Sequence, residues 1–452
     1  MEPAAIPSQA WTGTLPASAA AAVAVVRRLQ EASHRAYLVG GAVRDLVLER
    51  PPGDFDVATD ATPAQITALF PVTRLVGAAF AVVLVFTEDA PVETATFRVE
   101  GAYGDARHPD RIAYAATPAE DARRRDFTVN ALYLDPTAGL LLDPVGGLAD
   151  CRRRCLRAVG DPAARLREDA LRLLRAPRLA AQCGLTLEPS TRAALATERE
   201  GIRRIAAERV GQEIARLLTG PDPASGLELL AESGLLALVM PEVDALRGVP
   251  QPPDFHPEGD VWTHTLLMFR HSPARSLPLG LAVLLHDIGK PATLTVTDRI
   301  RFHGHARQGA RQAMAIGRQL RLPIADVEVA ADLVEQHLRF MQVRQMRPAT
   351  LKRFLRQPRF ELHLELHRLD CLGSHRDLGH WEFCREKLAE MTQDDLRPPP
   401  LLSGHDLLAL GYQAGPLLGR ILRELETAQL EHEIADAAQA RAWVTRRFPI
   451  PQ

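Results

Sequence analysis

An apolar run from residue 19 to 26 reads as the buried face of a first helix over 19–32, with Ser18 placed to cap its start. A strand at 37–39 ends on Gly40-Gly41, a short helix follows at 42–48, and a second strand is expected at 55–58. Thr62 and Pro63 carry the N-cap and first-turn signature of another helix. Short β-rich runs at 80–87 and 92–97 predict a hairpin across Glu88-Asp89. From 98 to 122 the pattern breaks into a long polar stretch, which predicts a mobile loop. Residues 181–248 read as all-helical, and a Pro-rich break at 249–257 marks a boundary. Further helices carry His264, end in His286-Asp287, and carry Asp370. Pro398-Pro399-Pro400 is a linker, after which 417–430 is amphipathic and Trp443 packs it down.

The expected architecture is α+β: a small sheet-and-helix head, then helical segments to the end. The divisions fall at 1–17 (loose and Pro/Ala-rich), 18–150 (head), 151–248 (neck and body), 255–390 (a second helical domain) and 398–452 (a helical tail). The length of 452 residues allows roughly three domains. Apolar content of 46% and charge of 24% are ordinary for a soluble globular chain. A formal charge of −2 provides no global field for nucleic acid, so such a surface must be a local patch. The five cysteines are odd in number and scattered, which fits a reducing cytoplasm better than a disulfide framework. Cys151 and Cys155 flank three arginines, a poor zinc site. The run at 19–26 is followed, not preceded, by Arg27-Arg28, unlike a secretory signal. No apolar stretch reaches the ~20 residues of a membrane span.

The chemistry centres on Asp54-Phe55-Asp56. On a strand, residues two apart share a face, so two carboxylates would stand side by side. Such a pair is costly without a cation, and oxygen ligands beside phosphates suit Mg²⁺. Gly40-Gly41 lets backbone N–H groups approach a triphosphate, and Arg44 follows them. Glu93 is a candidate third carboxylate, with an exposed strand position as the equal alternative. Arg124-Arg125-Asp126 supplies arginines for phosphates, while Asp126 and Asn130 are expected on one helix face, able to bind a sugar. Residues 151–180 carry nine arginines, including Arg172, Arg175 and Arg178, against Asp161, Glu168 and Asp169 alone, and predict a phosphate-binding patch. Glu168, Asp169 and Arg172 are placed on one helix. They are either a solvated ion pair or a fixed donor–acceptor set for a base edge.

A second cluster follows the Pro-rich break. His264, His286-Asp287, His303 or His305, His337 and Asp370 fall on successive helices, and imidazole with carboxylate suits a divalent metal and a hydrolytic water. His405-Asp406 follows a Ser-Gly turn and reads as helix capping.

Together these residues resemble the bacterial tRNA nucleotidyltransferase and poly(A) polymerase family, fused to an HD-type phosphohydrolase domain, over nearly all of the chain from about Tyr37. Leu38-Val39-Gly40-Gly41-Ala42-Val43-Arg44-Asp45 with Asp54-Phe55-Asp56 is similar to the catalytic motif. Arg124-Arg125-Asp126 with Asn130 resembles the ribose-selecting motif, and Asp143-Pro144 with Gly146-Gly147 the connection from head to neck. Glu168-Asp169 with Arg172 resembles the motif that selects CTP and ATP without a template, and Glu208-Arg209 the next motif. The resemblance implies Mg²⁺ on Asp54 and Asp56, a tRNA 3′ end as acceptor, and CTP and ATP as donors. It also implies one divalent metal on His264, His286, Asp287 and Asp370, with His305 and His337 available for a second. Tyr103, Asp105, Arg107 and Pro109 keep the loop that CC-adding relatives lack, so addition of A is expected. Gly77-Ala78-Ala79-Phe80-Ala81 lacks the basic run of the poly(A) polymerases. An enzyme that adds only A, or a poly(A) polymerase, remains the alternative, as does an HD phosphohydrolase with an RNA-binding head. Pro177 inside the templating helix departs from the family pattern and bears on the orientation of Arg178.

Overall fold

The computed structural model describes residues 6–76, 82–100, 112–253, 256–272 and 276–449. Residues 77–81 and the loop residues Tyr103, Asp105, Arg107 and Pro109 lie outside them. The chain divides into two compact units, one of residues 1–244 with 318–322, the other of residues 245–317 with 323–452.

The first unit is built on an eight-stranded mixed sheet. Its strands are β1 (Ser8–Ala10), β2 (Ala36–Val39), β3 (Asp56–Thr59), β4 (Thr73–Val76), β5 (Val82–Phe86), β6 (Pro91–Thr96), and, beyond a separate hairpin of β7 (Arg98–Glu100) and β8 (Ile112–Tyr114), β9 (Tyr133–Asp135) and β10 (Leu140–Leu142). The order is β1-β10-β9-β2-β3-β6-β5-β4, with β3 and β6 parallel and the other pairs antiparallel. The β5–β6 hairpin turns at Glu88-Asp89 as expected. Val57 lies opposite Thr94, and this register brings Glu93 beside Asp56.

Several local expectations change. Ser8–Ala10 is an edge strand on β10, so the N-terminal stretch is not loose throughout. The first helix runs Ala20–Glu31, preceded by a 3₁₀ turn at Ala17–Ala19, and Ser18 lies in that turn instead of capping. The 98–122 stretch contains β7, β8 and a helix at Pro118–Arg123, capped by Thr117 in a reciprocal bond with Glu120. Thr62 closes the same kind of capping box with Gln65, as its sequence suggested. Tyr37, Phe97 and Tyr133 form an aromatic cluster with centroids 6.2–6.3 Å apart, under the catalytic edge of the sheet. Beyond the sheet and the β7–β8 hairpin the unit is helical apart from a parallel pair at Cys155–Leu156 and Thr186–Leu187. Pro162–Glu168 packs on Pro189–Glu198, and Arg172–Cys183 packs on Ala207–Leu218 and Pro223–Glu232.

The second unit is helical apart from a short hairpin at Leu294–Val296 and Ile300–Phe302. Val261–Arg270 packs on Phe360–Gly373, and Leu277–Leu285 on Ile324–Gln336. His286-Asp287 ends the wholly apolar helix Leu277–Leu285. The turn after it comes so close to the next helix that a Cβ on Gly289 would stand 2.2 Å from the His305 carbonyl oxygen. The tail packs Leu407, Ile421, Leu425 and Val444 into its own core, with Trp443 against it as expected. Ser403 and Asp406 form a capping box, so His405-Asp406 is a helix start.

Gly289→Ala should destabilise the second unit by about 1–3 kcal/mol, the usual range for forcing extra volume into close packing. A thermal melt of the full chain checks this, and an unchanged transition would show that the turn has room to move.

Candidate active site

The first site is a cavity of about 290 Å³ lined by Val39, Asp56, Val57, Val82, Glu93, Ala95, Arg98, Arg124, Arg125, Asp126, Asp169, Arg172 and Arg175. β3 starts at Asp56, not Phe55, so Asp56 is on the strand while Asp54 is exposed just before it. Burial pushes the Asp56 carboxyl up, Glu93 and Asp54 push it further against the pull of Arg125, and it reaches about 6. Glu93 is therefore a member of the carboxylate group. Carboxylates gathered around Asp56 in this way are the donor chemistry of a hard divalent cation. Gly40 has φ +76°, and a Cβ there would lie 3.8 Å from Asp56 Oδ2 and 3.7 Å from Arg125 Nη1. Gly41 opens the helix Gly41–Val47.

Asp121, unmarked in the sequence, orients the arginines. Its side chain is 1% exposed and accepts from Arg124 Nε at 2.8 Å, Arg125 Nη2 at 3.0 Å and the Tyr133 hydroxyl at 2.7 Å. Burial alone would raise its carboxyl, but Arg125, Arg124 and Tyr133 outweigh this and hold it at about 2. Arg125 also donates to Tyr133 Oη at 3.0 Å and the Asn130 carbonyl at 3.2 Å.

Asp126 and Asn130 do not share an α-helix. Asp126 precedes a 3₁₀ turn at Thr128–Asn130, and the Asn130 amide donates to Asp126 Oδ1 at 3.1 Å. Arg44 donates to the Asn130 oxygen at 2.7 Å and is bidentate on Asp45. Arg44 and Asn130 are thus buried positioning groups, not cavity walls. Asp126 faces Arg175 at 2.6 Å. Despite burial, Arg175 and Arg172 hold its carboxyl far below the usual range. It is an acceptor at every working pH.

Glu168, Asp169 and Arg172 are not on one helix. One helix ends at Glu168, Asp169 is extended, and the next helix begins at Arg172. Arg172 donates to Glu168 at 3.0 Å and to the carbonyls of Arg165 and Arg124 at 2.8 and 3.1 Å. A guanidinium has five N–H donors, so Nε–H and one Nη2–H are without a partner among the described residues. Arg209 lies 3.7 Å from Asp169. Arg178 is outside the cavity, paired with Glu213 at 2.5 Å and with Gln182. The expected phosphate-binding patch is largely neutralised by distant acids: Arg157 meets Asp150, Arg167 meets Glu198, Arg175 meets Asp126 and Arg178 meets Glu213. Sequence spacing could not show these partners.

The second site is a cavity of about 310 Å³ whose walls include His256, His286, Asp287, Lys290, His305, His337 and Asp370. Three histidines share one device. Nδ1 of His286, His305 and His337 lies 3.1, 2.8 and 2.7 Å from the carbonyl three residues earlier, those of Val283, Phe302 and Val334. A carbonyl accepts only from N–H, so each ring keeps its proton on Nδ1 and its lone pair on Nε2. Nε2 of His264, His286 and His305 is buried without a hydrogen-bond partner among the described residues. Burial pulls His337 down to about 4, leaving it neutral. His264, His286 and Asp287 place ligand atoms within 4.8 Å of one another, as do Asp287, His305 and His337, so Asp287 belongs to both sets. Asp370 Oδ1 is 3.1 Å from His264 Nε2. His305 is buried and His303 exposed, which decides between them. Lys290 Nζ, 2.6 Å from Asp287, was not foreseen, nor were His256 and Glu258 beside His264. The donor set fits a divalent transition metal.

A curated relative from Deinococcus radiodurans, an A-adding tRNA nucleotidyltransferase, is 36% identical over 441 residues, covering 91% of this chain and 95% of that one. The chain belongs to the bacterial tRNA nucleotidyltransferase and poly(A) polymerase family. The Poly A polymerase head domain matches residues 36–157, the probable RNA and SrmB-binding site of polymerase A matches 184–246, and the HD domain matches 261–365. The CCA-adding enzyme of Geobacillus thermodenitrificans is 43% identical over 214 residues, 47% of this chain. The chain spans about half the length, 53%, of that relative. The Bacillus stearothermophilus CCA-adding enzyme, solved in complex with CTP, superposes with a TM-score of 0.73 at 27% identity, covering 96% of this chain and 98% of that one. The Thermotoga maritima CCA-adding enzyme complexed with tRNA shares the fold, with a TM-score of 0.64 at 17% identity over 98% of this chain and 99% of that one. The nucleotidyltransferase and HD families depend on divalent metals. No helix among the described residues is long and apolar enough to cross a membrane.

Asp121→Asn should cost about 3–5 kcal/mol, because it leaves buried guanidinium charge without its partner. The folded-state pKa of Asp121, at about 2, lies below its ordinary value of 3.8, so its stabilisation is complete above that value and is lost as pH falls through about 2. Urea melts of both proteins should differ most at pH 7, and the gap should narrow as pH falls below 3.8 toward 2. A gap that does not narrow would contradict the ion-pair account.

Proposed function

We propose that the first site adds CMP and AMP from CTP and ATP to the 3′ end of tRNA, completing CCA without a nucleic-acid template. The observation that carries this is the meeting of Asp56 and Glu93 with Arg124, Arg125 and Asp126 around one cavity, with Asp54 close enough to act on Asp56. Asp54 and Asp56, with Glu93 beside them, would hold Mg²⁺. When bound, Mg²⁺ supplies charge that favours the attacking 3′-hydroxylate and the departing pyrophosphate. Arg124 and Arg125, fixed by Asp121, present guanidinium to the triphosphate. Asp126 accepts from a ribose hydroxyl. Asp169 and the remaining N–H groups of Arg172 face the base and stand where a template would. The head, residues 18–150, does the chemistry, and 151–248 receives the RNA. A cytoplasmic location fits this substrate.

A second reading is addition of A alone. It is favoured by one observation: the A-adding relative aligns along nearly the whole chain, while the CCA-adding relative aligns over about half of it. For the second site we propose a metal-dependent phosphohydrolase centre on His264, His286, Asp287, His305, His337 and Asp370.

Labelled CTP and ATP offered to tRNA ending at the discriminator base, at C and at CC separate these readings. CCA addition requires CTP to go onto the first two and a single AMP to follow. Incorporation only of ATP, and only on the CC end, selects the A-adding reading. Asp56→Asn should lower incorporation by at least about a thousandfold, on the scale of losing a central catalytic group. The folded-state pKa of Asp56 lies above the ordinary carboxylate value, so its contribution favours the fold at low pH and is lost as pH rises through about 6. Mg²⁺ should therefore raise the melting temperature at pH 8 in the parent protein and much less in Asp56→Asn.

A further inference from the structure

His256 and Glu258 precede the matched HD segment and stand against its first histidine. The Glu258 side chain is 7% exposed. Its Oε1 is 2.9 Å from His264 Nδ1 and 2.9 Å from His256 Nδ1, and its Oε2 is buried without a partner among the described residues. His264 Nδ1 also faces the Gly373 carbonyl, at 3.3 Å. Both neighbours of that nitrogen are acceptors, so it carries a proton, and the tautomer that can take a cation is the one with its lone pair on Nε2. Nε2 points at Asp370 and belongs to the His264–His286–Asp287 set. The other three histidines achieve this tautomer with a carbonyl alone. His264 has a carboxylate as well, which makes its Nε2 a stronger donor.

We propose that Glu258 is a positioning residue that holds His264 as an Nε2 ligand of a divalent cation, in a carboxylate–histidine–metal arrangement, with His256 fixing the carboxylate. This rests on the reading of the second site as a metal centre. It competes with an ion seated directly on His256, Glu258 and His264, whose donor atoms also lie within 4.8 Å of one another. That seat would require His264 to lose the Nδ1 proton and carry it on Nε2, giving up its place beside His286.

The test titrates the full, metal-stripped chain with Co²⁺ and reads visible absorption and heat. Glu258→Gln should bind the same number of ions as the parent, with affinity about 10–100-fold lower, the range for an outer carboxylate. Glu258→Asp, which keeps the charge, should recover part of the affinity, and it makes the same comparison if the Gln variant does not fold by circular dichroism. His286→Ala should lose an ion outright. Parental affinity in Glu258→Gln would overturn the proposal and leave the metal centre standing. Loss of a whole equivalent in that variant would favour the direct seat and overturn it too. A parent chain that binds no Co²⁺ would remove the metal reading, and this proposal with it.

Discussion

The buried carboxylate of Asp121 is the interaction on which the first site depends. Two guanidiniums and a phenol meet on it, and it is the one side chain they all share. Arg125 is pinned at once by Asp121, Tyr133 and a carbonyl, with its charge centre 5.1 Å from the Tyr133 ring centroid. A guanidinium fixed in this way can meet a triphosphate without first losing rotamer freedom. The cost is a buried charge cluster whose members stabilise the fold only together.

The carboxylates opposite obey the reverse logic. Glu93 and Asp54 act against the charge of Asp56, and the parallel pairing of β3 with β6 keeps Glu93 beside it. Strain at one wall and surplus positive charge at the other leave a cavity suited to a metal-bound triphosphate. The second unit reaches readiness for metal differently, through neutral rings whose protons are parked on carbonyls.

Much of this was legible in the sequence because period and cap chemistry are local. Gly40, Asp56, His286-Asp287 and the Thr62 cap are each set by a few neighbours. Asp121 was not legible, since nothing in Pro118–Arg123 distinguishes a buried acid from a helix-start acid. The partners of Arg157, Arg167, Arg175 and Arg178 were not legible for a similar reason: they lie 7 to 49 residues away. Asp169 was placed inside a helix because the helix-forming residues around it outvote one extended residue. Glu258 was passed over because its neighbours read as a Pro-rich break.

Arg165 and Arg172 dock on main-chain oxygens, those of Arg123 and Arg124. A carbonyl is present whatever side chain its residue bears. The joint between the arginine-rich helices and the catalytic edge is therefore indifferent to side-chain identity at those two positions. Drift there can retune the charge offered to substrate while the mechanical coupling is inherited unchanged, so substrate preference and assembly can evolve on separate tracks.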